Sequence, residues 1–458
     1  MRRFFRLDRP PAQNCSVCSP ACCQNCFCGS SCCMQKQTTI GDTTRLQELH
    51  RRLRSGHKRH VQIALLGNSV AVTNNAATTA TFIAKLRRSY PRVTFTFRKD
   101  QALGGFEPSH FFLCGVHSLE SADLVLLQYE SFASKQHGEA LLRTILSLPT
   151  RPAVLAVIHC SANHWRHGSS SSSSSSDPHA QERLLFTHYN VPTIDACKAM
   201  STLLDGSCAA EETTTTKWNA ATLRSKWYTD HVHYKPHAMI AQGCHLSHLY
   251  TAATSVDGEA DDAAPAPLLP KPLAPSSEST PTFCHTAPAG SLQPRRTSGW
   301  VAMRGGKRNS KHWFGSSVPG STLEYLTPRS DSVLLEYYKH HNLPMGRVSV
   351  TVDGGPSRVL DACCGAARCA WHGNGVNALV TLVEGAELKP HSLVITMLPR
   401  YNASPCARHG SVDQFSLLSI IGTRRGSSRT AARHATGSLA DSWTSLLRSR
   451  AARARGEH

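Results

Sequence analysis

The sequence predicts two folded domains of different class, an α/β domain on a parallel sheet over residues 46–252 and a smaller antiparallel β-sandwich over residues 299–423. Three observations carry this expectation. Before residue 252, apolar runs alternate with helix-length stretches. Residues 253–298 are rich in Ala, Pro, Ser and Thr and read as a linker. Beyond it, short β-branched runs follow one another with Gly, Pro and Asn between them and no room for crossover helices.

Each element can be justified in turn. Val61-Gln62-Ile63-Ala64-Leu65-Leu66 is a nearly continuous apolar run closed by Gly67, the pattern of a strand buried on both faces of a parallel sheet. Similar runs recur at Val93 to Phe97, Asp123 to Leu127, Ala153 to Ile158 and Val191 to Ile194. Between them, Thr78 to Tyr90, Gly138 to Leu148 and Gln181 to Tyr189 are compatible with helices, so the order is that of βαβ units. The serine run at 169–176 and the threonines Thr213 to Thr216 read as loop insertions in this sheet. In the second domain the strand candidates are Ser332 to Tyr338, Arg347 to Val352, Ala378 to Val383, Leu393 to Leu398 and Phe415 to Ile420.

Composition narrows the function classes. A chain of 458 residues has room for two domains plus linkers. No stretch of eighteen or more apolar residues occurs, so no transmembrane segment is expected. Met1-Arg2-Arg3 is followed by Pro10, Pro11 and cysteines rather than an apolar core, so the N-terminus does not read as a secretory signal, and the compartment stays open. The net charge of +19 gathers before residue 60 and in a basic tail over 424–458. With no recognisable reading element, this implies non-specific attraction to polyanions rather than a specific nucleic-acid partner.

The cysteines fall into two groups. Eight of the 18 crowd between Cys15 and Cys33, within a leader over 1–45 expected to be disordered. A zinc site there needs two ligand pairs separated by a loop, and Cys18 to Cys22 leaves three residues between them. The other ten are scattered, which fits reduced, buried cysteines at least as well as a disulfide framework. No cofactor or metal is expected.

Two motifs carry chemistry. Gly67-Asn68-Ser69 sits at the carboxyl end of the first strand, where ligands gather in a parallel α/β sheet. Asp230-His231-Val232-His233 closes the same domain, and two intervening residues let the carboxylate fold back onto the imidazole and fix its tautomer. Taken singly, the motifs are better read as a helix N-cap at Ser69 and a loop histidine at His233. Their order along the chain, with a Gly pair after the second strand, favours a nucleophile–base–acid set.

As a set these blocks resemble the SGNH hydrolase (GDSL-like esterase) family, in its branch with an appended C-terminal β domain. VQIALLGNSV at 61–70 matches the nucleophile block, ALGGFEPSHFFLC at 102–114 the second block, and ADLVLLQY at 122–129 the third strand. LLRTILSLPTRPAVLAVIH at 141–159 matches the helix and strand that follow, and WYTDHVHYKPHAMIA at 227–241 the Asp-x-x-His block. LLEYYKHHNLPMGRVSVTVDG resembles the appended β domain. The resemblance implies a flavodoxin-like sheet with Ser69 as nucleophile, His233 as general base and Asp230 as its orienting acid. It also implies an oxyanion hole that includes the backbone N–H groups of Ser69 and Gly105.

The same resemblance exposes departures. Asn68 stands where the family usually has Asp, Ala71 and Thr73 replace a Thr and a Gly, and Tyr234 replaces a Pro after the histidine. Family members place an Asn as third oxyanion donor after the third strand; here the stretch is Gln128-Tyr129-Glu130-Ser131-Phe132, and Phe132 takes that place. The expected function is a serine esterase acting on an acylated carbohydrate, with a catalytically impaired, glycan-binding SGNH-fold protein as the alternative. Trp300, Trp313 and Trp371 supply candidate stacking platforms for sugar rings, or else pack in the sandwich.

Overall fold

The computed structural model describes residues 38–39, 41–98, 114, 119–129, 135–162, 179–204, 219–230, 232–255, 269–273, 279–287, 291–305, 311–340, 345–364, 375–400 and 413–425. The first domain runs β1 (Thr38–Thr39), α1 (Thr44–Arg54), β2 (His60–Gly67), α2 (Ser69–Ser89), β3 (Thr94–Arg98), β4 (Leu124–Tyr129), α3 (Lys135–Leu146) and β5 (Ala153–Ile158). It continues with α4 (Ala180–His188), β6 (Thr193–Asp195), α5 (Ala196–Leu204), α6 (Ala220–Trp227) and α7 (Pro236–Thr254).

The sheet order is β1-β6-β5-β4-β2-β3, with β1 antiparallel to β6 and the other five strands parallel. Among those five the order is second, first, third, fourth, fifth, which is the flavodoxin-like arrangement, with its switch point between β2 and β4. Alternate residues of each strand serve opposite faces. Ile63, Leu65, Leu124, Leu126 and Leu155 pack with Phe82, Leu86, Leu246 and Leu249 of α2 and α7. Ala64, Leu66, Val125, Leu127 and Val154 pack with Leu141 and Ile145 of α3 and Leu185 of α4. Burial on both sides is why the strands read as continuous apolar runs.

The second domain pairs two antiparallel sheets. One runs β15 (Gly375–Val383), β12 (Ser332–His340), β17 (Phe415–Arg425), β10 (Lys311–Ser316), β9 (Val301–Gly305), with β7 (Ser279–Thr286) also paired to β17. The other runs β14 (Arg358–Asp361), β13 (Arg347–Val352), β16 (Ser392–Met397), β11 (Thr322–Leu326), β8 (Arg296–Ser298). Between them lies a core of Val333, Leu335, Phe415, Leu417, Val348, Val350, Leu393 and Ile395. The outer face of the first sheet turns Trp313, Tyr338 and Leu418 onto the α/β core.

Three expectations need correction. Residues 279–298 are not linker: β7 and β8 belong to the sandwich, and 269–273 is tied to the first domain. Arg143 donates to the Pro270 carbonyl at 2.6 Å, and buried Glu139 accepts from the Leu273 N–H at 2.6 Å. Such ties satisfy backbone groups that an apolar-poor segment cannot bury by itself. The leader over 1–45 ends earlier than expected, because Thr38–Thr39 pairs with β6 and α1 begins at Thr44. The scattered cysteines are largely bonded: Cys114 to Cys284 across the two domains and Cys160 to Cys197 within the first, with Cys244, Cys363 and Cys364 also in disulfides. The Cys15–Cys33 cluster, the serine run, and most of the basic tail lie outside the described residues. Among the described residues no helix is long and apolar enough to cross a membrane.

Candidate active site

The turn after β2 is set by what it lacks. A Cβ on Gly67 would fall 2.0 Å from the Gln128 carbonyl oxygen of β4 and 2.4 Å from the Ala71 side chain, so only glycine fits between the two strands. Asn68 follows in extended backbone and caps α2, its Oδ1 accepting the Val70 N–H at 3.2 Å. Ser69 is therefore the first residue of α2, where backbone N–H groups face outward and the helix dipole favours negative charge. Only the backbone of Ser69 is described. Gly105, Phe132 and Ser131 lie outside the described residues.

The second motif forms a closed loop. Tyr228 and Tyr234 make an antiparallel bridge, with the Thr229 N–H donating to the His233 carbonyl and the Lys235 N–H to the Trp227 carbonyl, each at 2.8 Å. Inside it, Asp230 Oδ1 accepts the N–H groups of Val232 and His233 at 2.7 and 2.8 Å. Its other oxygen meets His233 Nδ1 at 2.7 Å. Partial burial works to raise the Asp230 carboxyl, but the bonds from the His233 backbone, the His233 ring and the Val232 backbone outweigh it and hold it at about 2. A carboxylate only accepts, so the proton of neutral His233 sits on Nδ1 and the lone pair on Nε2. Nε2 is buried, with no hydrogen-bond partner among the described residues.

The loop rests on the end of β5. His159 directly follows that strand, is fully buried, and meets the Val232 carbonyl through Nε2 at 2.7 Å. A carbonyl only accepts, so this nitrogen carries the proton. Burial lowers the His159 imidazole to about 3, against the opposing pull of the Val232 carbonyl, so the ring is neutral above that range. Its centroid is 4.3 Å from that of Tyr234. Tyr228 donates to the Cys160 carbonyl at 2.8 Å, and the Tyr234 hydroxyl accepts the Cys160 N–H at 3.3 Å.

Both motifs lie at the carboxyl edge of one sheet. Gly67 is in register with Gln128, and Gln128 with Val157, so Ser69 and His159 each stand two residues beyond the same level. With β4 alone between β2 and β5, those strands are about 10 Å apart. Helices α2 and α7 also run in the same direction. Thr78 Oγ1 donates to the Met239 carbonyl at 2.9 Å and, farther along, Phe82 meets Tyr250. The N-terminus of α2 and the residues just before α7 therefore share one end of the helix pair.

Other candidates fall away. Gln128 is buried, and its Nε2 donates to Gln242 at 2.9 Å beneath the site. Trp300 is buried in the sandwich core against Phe415 and offers no free face to a sugar, while the partly buried Trp313 packs on the α/β core. Trp371 lies outside the described residues. Sequence reasoning missed His159, although its place directly after the Ala153–Ile158 run is where a parallel sheet gathers functional groups.

No family model matches the chain, and no curated protein matches it by sequence. Among solved structures, the chain is similar to a two-domain esterase active on acetylated mannans, crystallised with mannopentaose. The TM-score is 0.59 at 18% identity, covering 86% of this chain and 98% of that one. A second structure of such an esterase gives a TM-score of 0.59 at 17% identity, covering 86% and 99%. The fold is that of a two-domain esterase: a parallel-sheet domain followed by a β domain along nearly the full length of those chains.

Proposed function

We propose that this chain is a serine esterase that removes acyl groups from a carbohydrate, with Ser69 as nucleophile, His233 as general base and Asp230 as its orienting acid. The observation that carries the reading is the Asp230–His233 pair, whose Nε2 lone pair is free of a described partner at the carboxyl edge where α2 begins with Ser69. In the first half-reaction the Ser69 oxygen attacks the acyl carbonyl carbon while His233 Nε2 takes the hydroxyl proton. The tetrahedral oxyanion forms beside the Ser69 backbone N–H, and by the family resemblance that of Gly105. Collapse expels the sugar oxygen, which takes from His233 the proton that came from Ser69; water then releases the acid by the same route. Similarity of fold to an esterase acting on acetylated mannans supports a carbohydrate ester as substrate.

A second reading, an impaired enzyme that binds glycans, is favoured by Phe132 at the position of the third oxyanion donor. One test separates the two. The protein should hydrolyse p-nitrophenyl acetate slowly and be labelled by a fluorophosphonate, and both activities should vanish in Ser69→Ala. Replacing Phe132 with Asn should then raise kcat by up to about a hundredfold with little change in KM. Wild-type turnover and labelling equal to those of Ser69→Ala would remove the esterase reading.

A further inference from the structure

We infer that His159 is a positioning residue that fixes the base loop through the backbone of Val232, an inference that rests on the esterase reading above. The loop from Tyr228 to Tyr234 holds Asp230 and His233 against each other, but those internal bonds do not place the pair relative to the sheet. That placement requires contacts from outside the loop. Three come from two consecutive residues at the end of β5: the His159 ring to the Val232 carbonyl, the Tyr228 hydroxyl to the Cys160 carbonyl, and the Cys160 N–H to the Tyr234 hydroxyl.

The His159 contact differs from the other two in two respects. It grips the residue adjoining His233, whereas the tyrosines grip the loop at its base. It is also the contact in which the edge of β5 supplies a side chain, whereas at Cys160 it supplies backbone groups. Its ring is fully buried, and its Nδ1 has no hydrogen-bond partner among the described residues. An imidazole that makes one bond and leaves the other nitrogen unsatisfied is a costly occupant of a core position that an aromatic ring of similar size would fill. Among the described residues, its one bond is to the base loop. His159 does not touch the reacting atoms in this scheme; it acts through Val232 on where His233 Nε2 points.

The test compares His159→Phe, His159→Gln and His159→Asn with wild type on p-nitrophenyl acetate. Phe keeps the bulk and removes the donor, Gln carries an N–H at about the reach of Nε2, and Asn carries one too short to meet Val232. Loss of the donor should lower kcat by between about tenfold and a hundredfold with KM nearly unchanged, because the base is displaced while the substrate surface is not. His159→Gln should recover most of that loss and His159→Asn should not. If His159→Phe fails to fold, the contrast between Gln and Asn decides alone. Equal kcat in the folded variants and wild type, with Ser69→Ala and His233→Ala inactive, overturns the role of His159 and leaves the esterase intact. A wild type no more active than Ser69→Ala overturns the esterase reading and this inference with it.

Discussion

Two turns at the carboxyl edge of the same sheet are held in opposite ways. The turn after β2 is specified by close packing of backbone: Gly67 lies against Gln128 of β4, and among the described residues one side-chain bond, from the Val70 N–H to Asn68 Oδ1, starts the helix. The loop against β5 is specified by side chains, with Asp230, His159, Tyr228 and Tyr234 each adding a bond and Cys160 a covalent link to α5. A turn built by exclusion fails all at once when its one position is filled. A loop built by many bonds loses its geometry by degrees, and its chemistry before its fold.

Substitutions at each turn sharpen this contrast. The largest effect on activity should come from Asp230→Asn, which leaves the loop's size unchanged but removes the carboxylate that fixes the His233 tautomer; kcat should fall by about a thousand- to ten-thousandfold. Its effect on stability should be small. The Asp230 carboxyl is depressed to about 2, so its contribution is present above the ordinary carboxylate range and is lost as the pH falls towards 2. With the side chain 47% exposed, screening keeps that contribution below ~1 kcal/mol. Thermal melts of wild type and Asp230→Asn should differ slightly at pH 7 and converge as the pH approaches 2.

Gly67→Ala tests the other turn, and here the loss should fall on the fold. A methyl 2.0 Å from a backbone oxygen forces β2 and β4 apart, at a cost of about 4 kcal/mol or more, read as a large drop in the denaturant midpoint. Replacing Cys160 and Cys197 together by Ala should cost about 2–4 kcal/mol, with a smaller loss of turnover than Asp230→Asn. The smallest change should be Asn68→Ala, which removes one helix cap and lowers stability by ~1 kcal/mol. If Asn68→Ala proves as damaging as Gly67→Ala, the turn depends on its cap and the contrast between the two turns fails.

Some of this was legible in the sequence and some was not, for identifiable reasons. The parallel strands were readable because burial on both faces leaves an unbroken apolar run, as in Val61 to Leu66 within β2. Helix α2 was expected from Thr78 but begins at Ser69: Val70 to Ala77 has weak helix propensity, and packing of α2 against α7 outweighs it. Helix α7 gave no amphipathic signal because it is buried on most of its faces, from Ala238 through Ala253. Strands β7 and β8 were read as linker because Ser279 to Thr286 and Arg296 to Ser298 carry no alternation of apolar and polar residues. At the candidate site, Asp230 and His233 were readable since only two residues lie between them. The bracing was not, because His159 meets Val232 across 73 positions and a disulfide's partner cannot be deduced from sequence.

The bond between Cys114 and Cys284 makes the molecule something other than two beads on a string. It closes a covalent ring spanning 170 positions that holds β4 to β6, helices α3 to α7 and the whole connector, and ends inside β7. A protease acting between the domains nicks this ring without opening the molecule into halves. The cut chain keeps its two parts at a fixed short tether, and they separate only when a reductant has acted as well.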